Sequence, residues 1–127
     1  MANPANIIDS TIIAKYGLVY TLSGSNVSYL NASSNYGYHI YNLTCHNYSS
    51  SSTTVTVYTV TGNSSNYYLA NAMTIPAKSS LILASKENPL NLVYAGGANT
   101  IQGISAQAGA TNSINIHIHY DYIYDAT

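Results

Sequence analysis

The stretch YHIYNLTCHNYSSSSTTVTVYTV, residues 38–60, decides the fold class. Polar and apolar side chains alternate on both sides of a run of serines. In the first half, strict alternation places Leu43 and Cys45 on one face and Ile40 on the other; in the second half Val55 and Val57 share a face. Period-two alternation of β-branched and aromatic residues is typical of half-buried strands. We therefore predict a long β-hairpin, with the serine run as its loop.

Similar alternation recurs along the chain and is clearest near its end. Turn-forming clusters of Gly, Pro, Asn and Ser separate these segments, and no segment has helical periodicity. The pattern predicts an all-β fold, an antiparallel β-sandwich of jelly-roll or immunoglobulin-like type with about eight strands. The predicted core comprises Leu43, Cys45, Val55, Val57, Ile114, Ile116 and Ile118. Tyr120 and Tyr122 share the face of the isoleucines and should join the core, with Tyr124 at its rim.

The composition limits the classes of partner. Only 6% of the 127 residues are charged, against about 25% in typical soluble proteins. The net charge of −1 leaves no basic stripe of the kind that nucleic-acid binding requires. Low charge also weakens repulsion between copies. We therefore expect no nucleic-acid partner, and a surface that lies largely against other subunits in a homo-oligomer.

The sequence predicts one domain, residues 15–127, preceded by an N-terminal arm, residues 1–14. Pro4 disfavours a helix in the arm, and Ile7 and Ile8 are its candidate anchors on a partner. No secretory leader and no apolar run of about 18 residues is recognisable, so we expect synthesis in a cytoplasm and no membrane partner. Cys45 is the single cysteine, which excludes an intrachain disulfide and predicts a small buried hydrophobe.

Histidines offer the strongest candidate chemistry. His117 and His119 should project from one strand face, with Asp121 two residues on, and such a pair can bind one metal ion. Asp121 would be a third ligand or would orient a ring, and His39 or His46 would complete the set from another strand. An isolated His-x-His pair is more often simply the polar side of a strand. We therefore predict no metal site.

Catalytic patterns are missing from the sequence. Glu87 is the only glutamate, so a catalytic glutamate pair is excluded. The three aspartates lie near the termini, and there is no Gly-x-Ser-x-Gly elbow and no phosphate-binding loop. We predict that the protein is not an enzyme and needs no cofactor.

The aromatic residues are all tyrosine: 14 Tyr, no Phe and no Trp. Tyrosine combines a large apolar area with a hydroxyl group and is enriched in interfaces, although here it must also fill the core. The doublet Tyr67 and Tyr68 should place one ring on each sheet face. The interface candidates are Ile7, Ile8, Tyr36, Tyr48, Tyr67 and Tyr124.

Four short segments between residues 15 and 124 share a pattern with a known group of proteins. They are residues 45–47 before the serine loop, the Thr/Val segment 53–60, the Ile-Pro-Ala to Leu-Ile-Leu step at 75–83, and the closing Tyr-Asp-Tyr-Ile at 120–123. In these the chain resembles small β-sandwich virion proteins of tailed bacteriophages, particularly marine ones. It departs from them at residues 96–99, Gly-Gly-Ala-Asn, where the family commonly has an acidic turn.

The resemblance implies a non-enzymatic virion component present in many copies. Capsid decoration or cement proteins and neck, tail or fibre modules belong to this class, with the major capsid protein or other virion proteins as partners. The alternative is a carbohydrate-binding or adhesin module that presents its tyrosines to a glycan. The resemblance also implies localisation in the virion.

Overall fold

A computed structural model describes residues 10–34, 36–94 and 100–125, and side chains from residue 15 to residue 124 within those ranges. These residues contain strands and no helix, so no described helix is available to cross a membrane. The strands are β1 (Ser10–Thr21), β2 (Val27–Asn31), β3 (Tyr36–Asn47), β4 (Thr53–Thr61), β5 (Asn66–Ile75), β6 (Ser80–Ala84), β7 (Leu90–Leu92), β8 (Ile101–Ala108) and β9 (Ile114–Asp125).

The strands form two antiparallel sheets. One has the order β1-β9-β3-β6, with β7 also paired to β3; the other has the order β2-β8-β4-β5. Successive strands mostly alternate between the sheets, and each sheet interleaves early and late strands. This is the strand order of a jelly roll. The predicted antiparallel sandwich is therefore confirmed, with the short β7 as a ninth strand.

The predicted central hairpin is wrong. β3 pairs with β9, β6 and β7, whereas β4 pairs with β5 and β8, so the serine run crosses from one sheet to the other. Asn47, fully buried, organises this crossing: its Nδ2 donates to the carbonyls of Ser51 (2.8 Å) and Ile75 (2.9 Å). Its Oδ1 accepts from the amide (2.9 Å) and the hydroxyl (2.7 Å) of Ser49. The apolar sides of β3 and β4 therefore meet across the core instead of lying side by side.

A bulge in β3 also changes the predicted faces. Ile40 pairs with Tyr120 and Asn42 with His119, which leaves Tyr41 as an extra residue in β3. A bulge shifts the alternation by one position. Ile40 therefore faces the core together with Leu43, and the prediction that they lie on opposite faces is wrong.

The predicted core is confirmed. All seven residues named above are 0% exposed, and Tyr120 is 7% exposed. Tyr122 packs half-buried against this core, and Tyr124 is half-buried at the end of β9. Because each fully buried aliphatic side chain stabilises by roughly 1.5–3 kcal/mol, this cluster dominates the favourable side of the folding free energy.

The first strand begins within the segment assigned to the arm. Ser10 pairs with Asp125, and the pairing shifts register between Ile12 and Ala14. Residues 1–9, with Ile7 and Ile8, lie outside the described residues, so the arm and its anchors stay a prediction.

Candidate functional site

The outer surface of the five-stranded sheet carries all four histidines, and we call it the histidine face. Strand register arranges its side chains in four rows across the sheet. The rows are Lys15, Asp121, His39 and Asn91; Gly17, His119 and Asn42; Val19, His117, Thr44 and Ile82; and Thr21, Asn115, His46 and Ser80. His117, His119 and Asp121 thus share one face, as the alternation predicted.

Hydrogen bonds along the rows tie the outer strands to the middle of the sheet. Lys15 Nζ lies 2.9 Å from Asp121 Oδ1, and this hydrogen bond, followed by the charge of Asp121, raises the pKa of Lys15. His39 Nδ1 lies 2.6 Å from the side-chain oxygen of Asn91 on β7. On β6, the hydroxyl of Ser80 lies 2.8 Å from Nδ1 of His46. These polar side chains at the edges of the face therefore have hydrogen-bond partners within the protein.

The middle of the histidine face is different. His117 and His119 make no hydrogen bond to any residue within the described ranges. The imidazole of His119 lies over Gly17, where an added Cβ would be 2.9 Å from the ring. On its other side is Tyr41, with ring centroids 6.2 Å apart. The imidazole of His119 is positioned by Gly17, which has no side chain, and by the ring of the bulged residue Tyr41.

An open groove of about 610 Å³ runs over this central region. Its floor includes Asn42, His117 and His119, and the loop with Lys86 and Glu87 forms one side. A second depression of about 350 Å³ adjoins it towards Lys15 and Asp121 and shares Tyr41 and Lys86 with the first. The residues that line the two depressions all carry a polar group, and Tyr41 borders both depressions.

The metal-binding alternative finds no geometric support in the described ranges. No group of three or more His, Cys, Asp or Glu side chains there is arranged to hold a metal ion. Asp121, the third ligand considered, is 8% exposed and bound to Lys15.

The outer surface of the four-stranded sheet has another chemistry, and we call it the hydroxyl face. Its residues come from β2, β8, β4 and β5, and none is Lys, Arg, Asp, Glu or His. They are Ser28, Asn31, Thr54, Thr56, Tyr58, Val60, Asn66, Tyr68, Thr74, Gly103, Ser105 and Gln107. Thr56, Gly103 and Ser105, in the middle of this face, are themselves buried beneath their neighbours. The rings of Tyr58 and Tyr68 are in contact, with centroids 4.9 Å apart.

The predicted interface tyrosines occupy different environments. Tyr67 is 55% exposed on β5. Tyr36 is half-buried, stacked on Tyr122 with centroids 5.3 Å apart, and it also contacts the ring of Tyr124. Tyr48 is half-buried, and its carbonyl accepts a 2.6 Å hydrogen bond from a lysine, Lys78. The interface role of the four candidate tyrosines, Tyr36, Tyr48, Tyr67 and Tyr124, stays a prediction.

Sequence reasoning missed several exposed apolar side chains. Ile82 is 65% exposed, Val19 57% and Met73 47%. Ile82 gave no signal because it lies in a continuous apolar run, and only the strand register places it outward. Tyr67 and Tyr68 point to opposite sides as predicted, yet both are 55% exposed because the start of the edge strand β5 is uncovered.

Comparisons with known proteins concern the fold. No protein-family model matches the sequence, and a search of curated proteins gives no match. A protein from the structure of Bacillus endospore appendages, described as a novel family of disulfide-linked pili, matches with a TM-score of 0.51 at 10% identity. That match covers 93% of this chain and 91% of the other. A chain of Sulfolobus turreted icosahedral virus matches with a TM-score of 0.52 at 19% identity, over 93% of this chain and 31% of that longer chain.

At these identities the matches show the fold alone: the chain is similar to one subunit of a bacterial appendage and to part of one viral protein. One difference from the disulfide-linked pili is visible in the chemistry. Cys45 is fully buried in β3, and burial raises the pKa of its thiol to about 12. Because the thiolate is the reactive form, this cysteine is unsuited to linking subunits.

Proposed function

We propose that the protein is a non-enzymatic structural component of a bacteriophage particle, present in many copies. Its role is that of a capsid decoration or cement protein, or of a neck, tail or fibre component. The jelly-roll order of strands supports this role, since subunits of a viral particle and of a bacterial appendage share the fold. We further propose that it is made in the host cytoplasm and acts by contacts with sister subunits and with the major capsid protein or another virion protein.

The observation that carries the proposal is the hydroxyl face together with its exposed apolar edge. Burying a charge costs several kcal/mol unless it is well paired, whereas hydroxyl and amide groups exchange hydrogen bonds with a partner at much lower cost. Along β5, beside this face, Tyr67, Tyr68 and Met73 are each about half exposed. An uncharged ten-residue edge strand with this much apolar surface favours association.

The geometry of β5 indicates how the contact is made. Its pairing with β4 shifts register on both sides of Val57, and within one of these bulges Ala72 has a positive φ of 49°. The amide of Ala72 donates to the hydroxyl of Thr56 at 3.0 Å. Bulges interrupt the row of backbone groups that another strand would pair with. Side-chain contacts, with Tyr67 and Tyr68 as anchors, therefore suit β5 better than addition of a strand.

The direct test is fractionation of purified particles followed by quantitative mass spectrometry. The protein is expected to co-sediment with the particle in a fixed ratio to the major capsid protein. If it is confined to the soluble lysate while the particles are complete, the proposal is wrong.

A pair of variants tests the interface. Tyr67→Lys combined with Tyr68→Lys should reduce incorporation into particles by placing unpaired charge in the contact. Ile82→Lys is the matched control, because it puts a charge at a 65%-exposed apolar position on the histidine face. Equal loss of incorporation in both would argue against the hydroxyl face and β5 as the interface.

A further inference from the structure

From the geometry of the histidine face we infer a binding site for a neutral oligosaccharide, with Tyr41 as the stacking platform and Asn42, His117 and His119 as hydrogen-bonding groups. This site goes beyond the structural role and does not depend on it. The groove, at about 610 Å³, is within the range of roughly 300–1,000 Å³ typical of small-molecule sites.

The polar groups on the groove floor match the chemistry of sugar hydroxyls. A neutral imidazole offers one donor and one acceptor, and a sugar hydroxyl can satisfy either. Neither His117 nor His119 is engaged by another described residue, whereas His39 and His46 at the edges already have partners. Asn42 uses its oxygen to accept from Thr44 at 3.0 Å, which leaves its amide hydrogens for a ligand.

Tyr41 supplies the apolar element that a pyranose ring requires. A pyranose has a face of C–H groups beside its rim of hydroxyls, and an aromatic ring is a large flat apolar surface with a polar end. The bulge turns Tyr41 onto the outer face, where it borders both depressions. One sugar unit on either side of this ring would occupy the two depressions as adjoining subsites.

The charges around the groove favour a neutral ligand over an anionic one. Lys15 is paired with Asp121, and Lys86 is accompanied by Glu87 on the loop beside the groove. The charges of these two cations and two carboxylates balance. A site for phosphate or a polyanionic glycan would need an excess of Lys or Arg.

The experiment uses the purified full chain and neutral tetrasaccharides of glucose, galactose, mannose and N-acetylglucosamine as probes, with heparin fragments as the anionic comparison. Binding is measured by calorimetry and by NMR. At least one neutral probe is expected to bind with a Kd of about 1 mM or tighter. Tyr41→Ala should weaken that binding by about tenfold or more, whereas Tyr67→Ala, the matched control on β5, should leave it unchanged.

A readout on the unmodified protein keeps the test independent of how the variant folds. The neutral probe should shift the imidazole nitrogen resonances of His117 and His119 more than those of His39. Lack of binding by all four neutral probes overturns the inference. So does binding of heparin alone, or neutral-probe binding that spares these imidazoles or persists in a folded Tyr41→Ala protein.

Discussion

The histidine face and the hydroxyl face belong to the same sandwich but differ in the cost of burying their side chains against a partner. The first holds all four histidines, the ion pair of Lys15 with Asp121 and a polar groove. The second holds hydroxyl, amide and tyrosine groups beside an exposed apolar edge strand. A protein that packs in an array needs a surface of low desolvation cost, and a surface left open to solvent can keep its charges. The proposed function therefore places attachment on the hydroxyl face, and the inferred glycan site places ligand contact on the histidine face.

The largest expected effect is the difference in unfolding free energy between a substitution on the inner face of β9 and one on its outer face. Ile116→Ala removes a fully buried side chain from the core that both sheets share and should cost about 2–5 kcal/mol of unfolding free energy. His117→Ala, one residue on, should change it by no more than about 0.5 kcal/mol. Denaturant unfolding of the two variants measures both. A cost below about 0.5 kcal/mol for Ile116→Ala would mean that the faces of β9 are assigned backwards.

A smaller effect follows from the tyrosines on the inner side of the five-stranded sheet. Burial raises the pKa of Tyr120 to about 12, and it also raises those of Tyr38 and Tyr122. Unfolded tyrosine titrates near pH 10, so the folded state holds the proton longer. Stability from this source is complete below pH 10 and is lost as the pH rises towards 12, by roughly 2–3 kcal/mol for Tyr120.

Unfolding at pH 9 and pH 11.5 measures that loss, and a matched pair of variants assigns it. Tyr120→Phe should reduce the alkaline loss. Tyr67→Phe is the matched control on β5, where the side chain is 55% exposed. Identical alkaline losses in both variants would contradict the assignment.

Two glycines, one on each face, differ in what an added Cβ would contact. At Gly103 on the hydroxyl face, a Cβ would lie 3.0 Å from the backbone oxygen of Leu30, which cannot move away, so Gly103→Ala should cost about 1–3 kcal/mol. At Gly17 the neighbour is the exposed ring of His119, which can rotate, so Gly17→Ala should stay within about 1 kcal/mol. Thermal unfolding compares the two. The reverse order would contradict the described packing of both faces.

The smallest effect concerns the ion pair. Lys15 is 67% exposed as a side chain, and solvent and salt screen exposed ion pairs, so Lys15→Met should be nearly neutral and its small cost should vanish at high salt. Lys78→Met is the control, because Lys78 donates to a backbone carbonyl instead of a carboxylate. A salt-independent cost for Lys15→Met as large as that of Gly103→Ala would contradict this expectation.

Much of the sandwich could be predicted from local alternation, and the errors have physical causes. Alternation in β9 identified Ile114, Ile116 and Ile118 as core because a strand without bulges keeps its period. It could not identify the partner of a strand, which is why residues 38–60 suggested a hairpin. Nor does any Gly or Pro beside Tyr41 mark the bulge that turns its ring outward.

The candidate site was only partly predictable for the same reason. The His-x-His pattern placed His117 and His119 together, because two residues apart on one strand means one face. Gly17 and Asn42 join them only through pairings across 102 and 77 residues of sequence (119 − 17 and 119 − 42). The pairing register of these strands depends on the whole sheet and cannot be predicted from a local sequence pattern.

Covalent footprinting of the protein in purified particles, compared with the isolated chain, tests the central claim most directly. Tyrosine-directed and histidine-directed reagents report on the two faces in one experiment. We predict that assembly protects Tyr67 and Tyr68 while His117 and His119 keep the reactivity that they have in the isolated chain. Protection of the two histidines with Tyr67 and Tyr68 still reactive, or absence of the protein from the particles, would contradict the account.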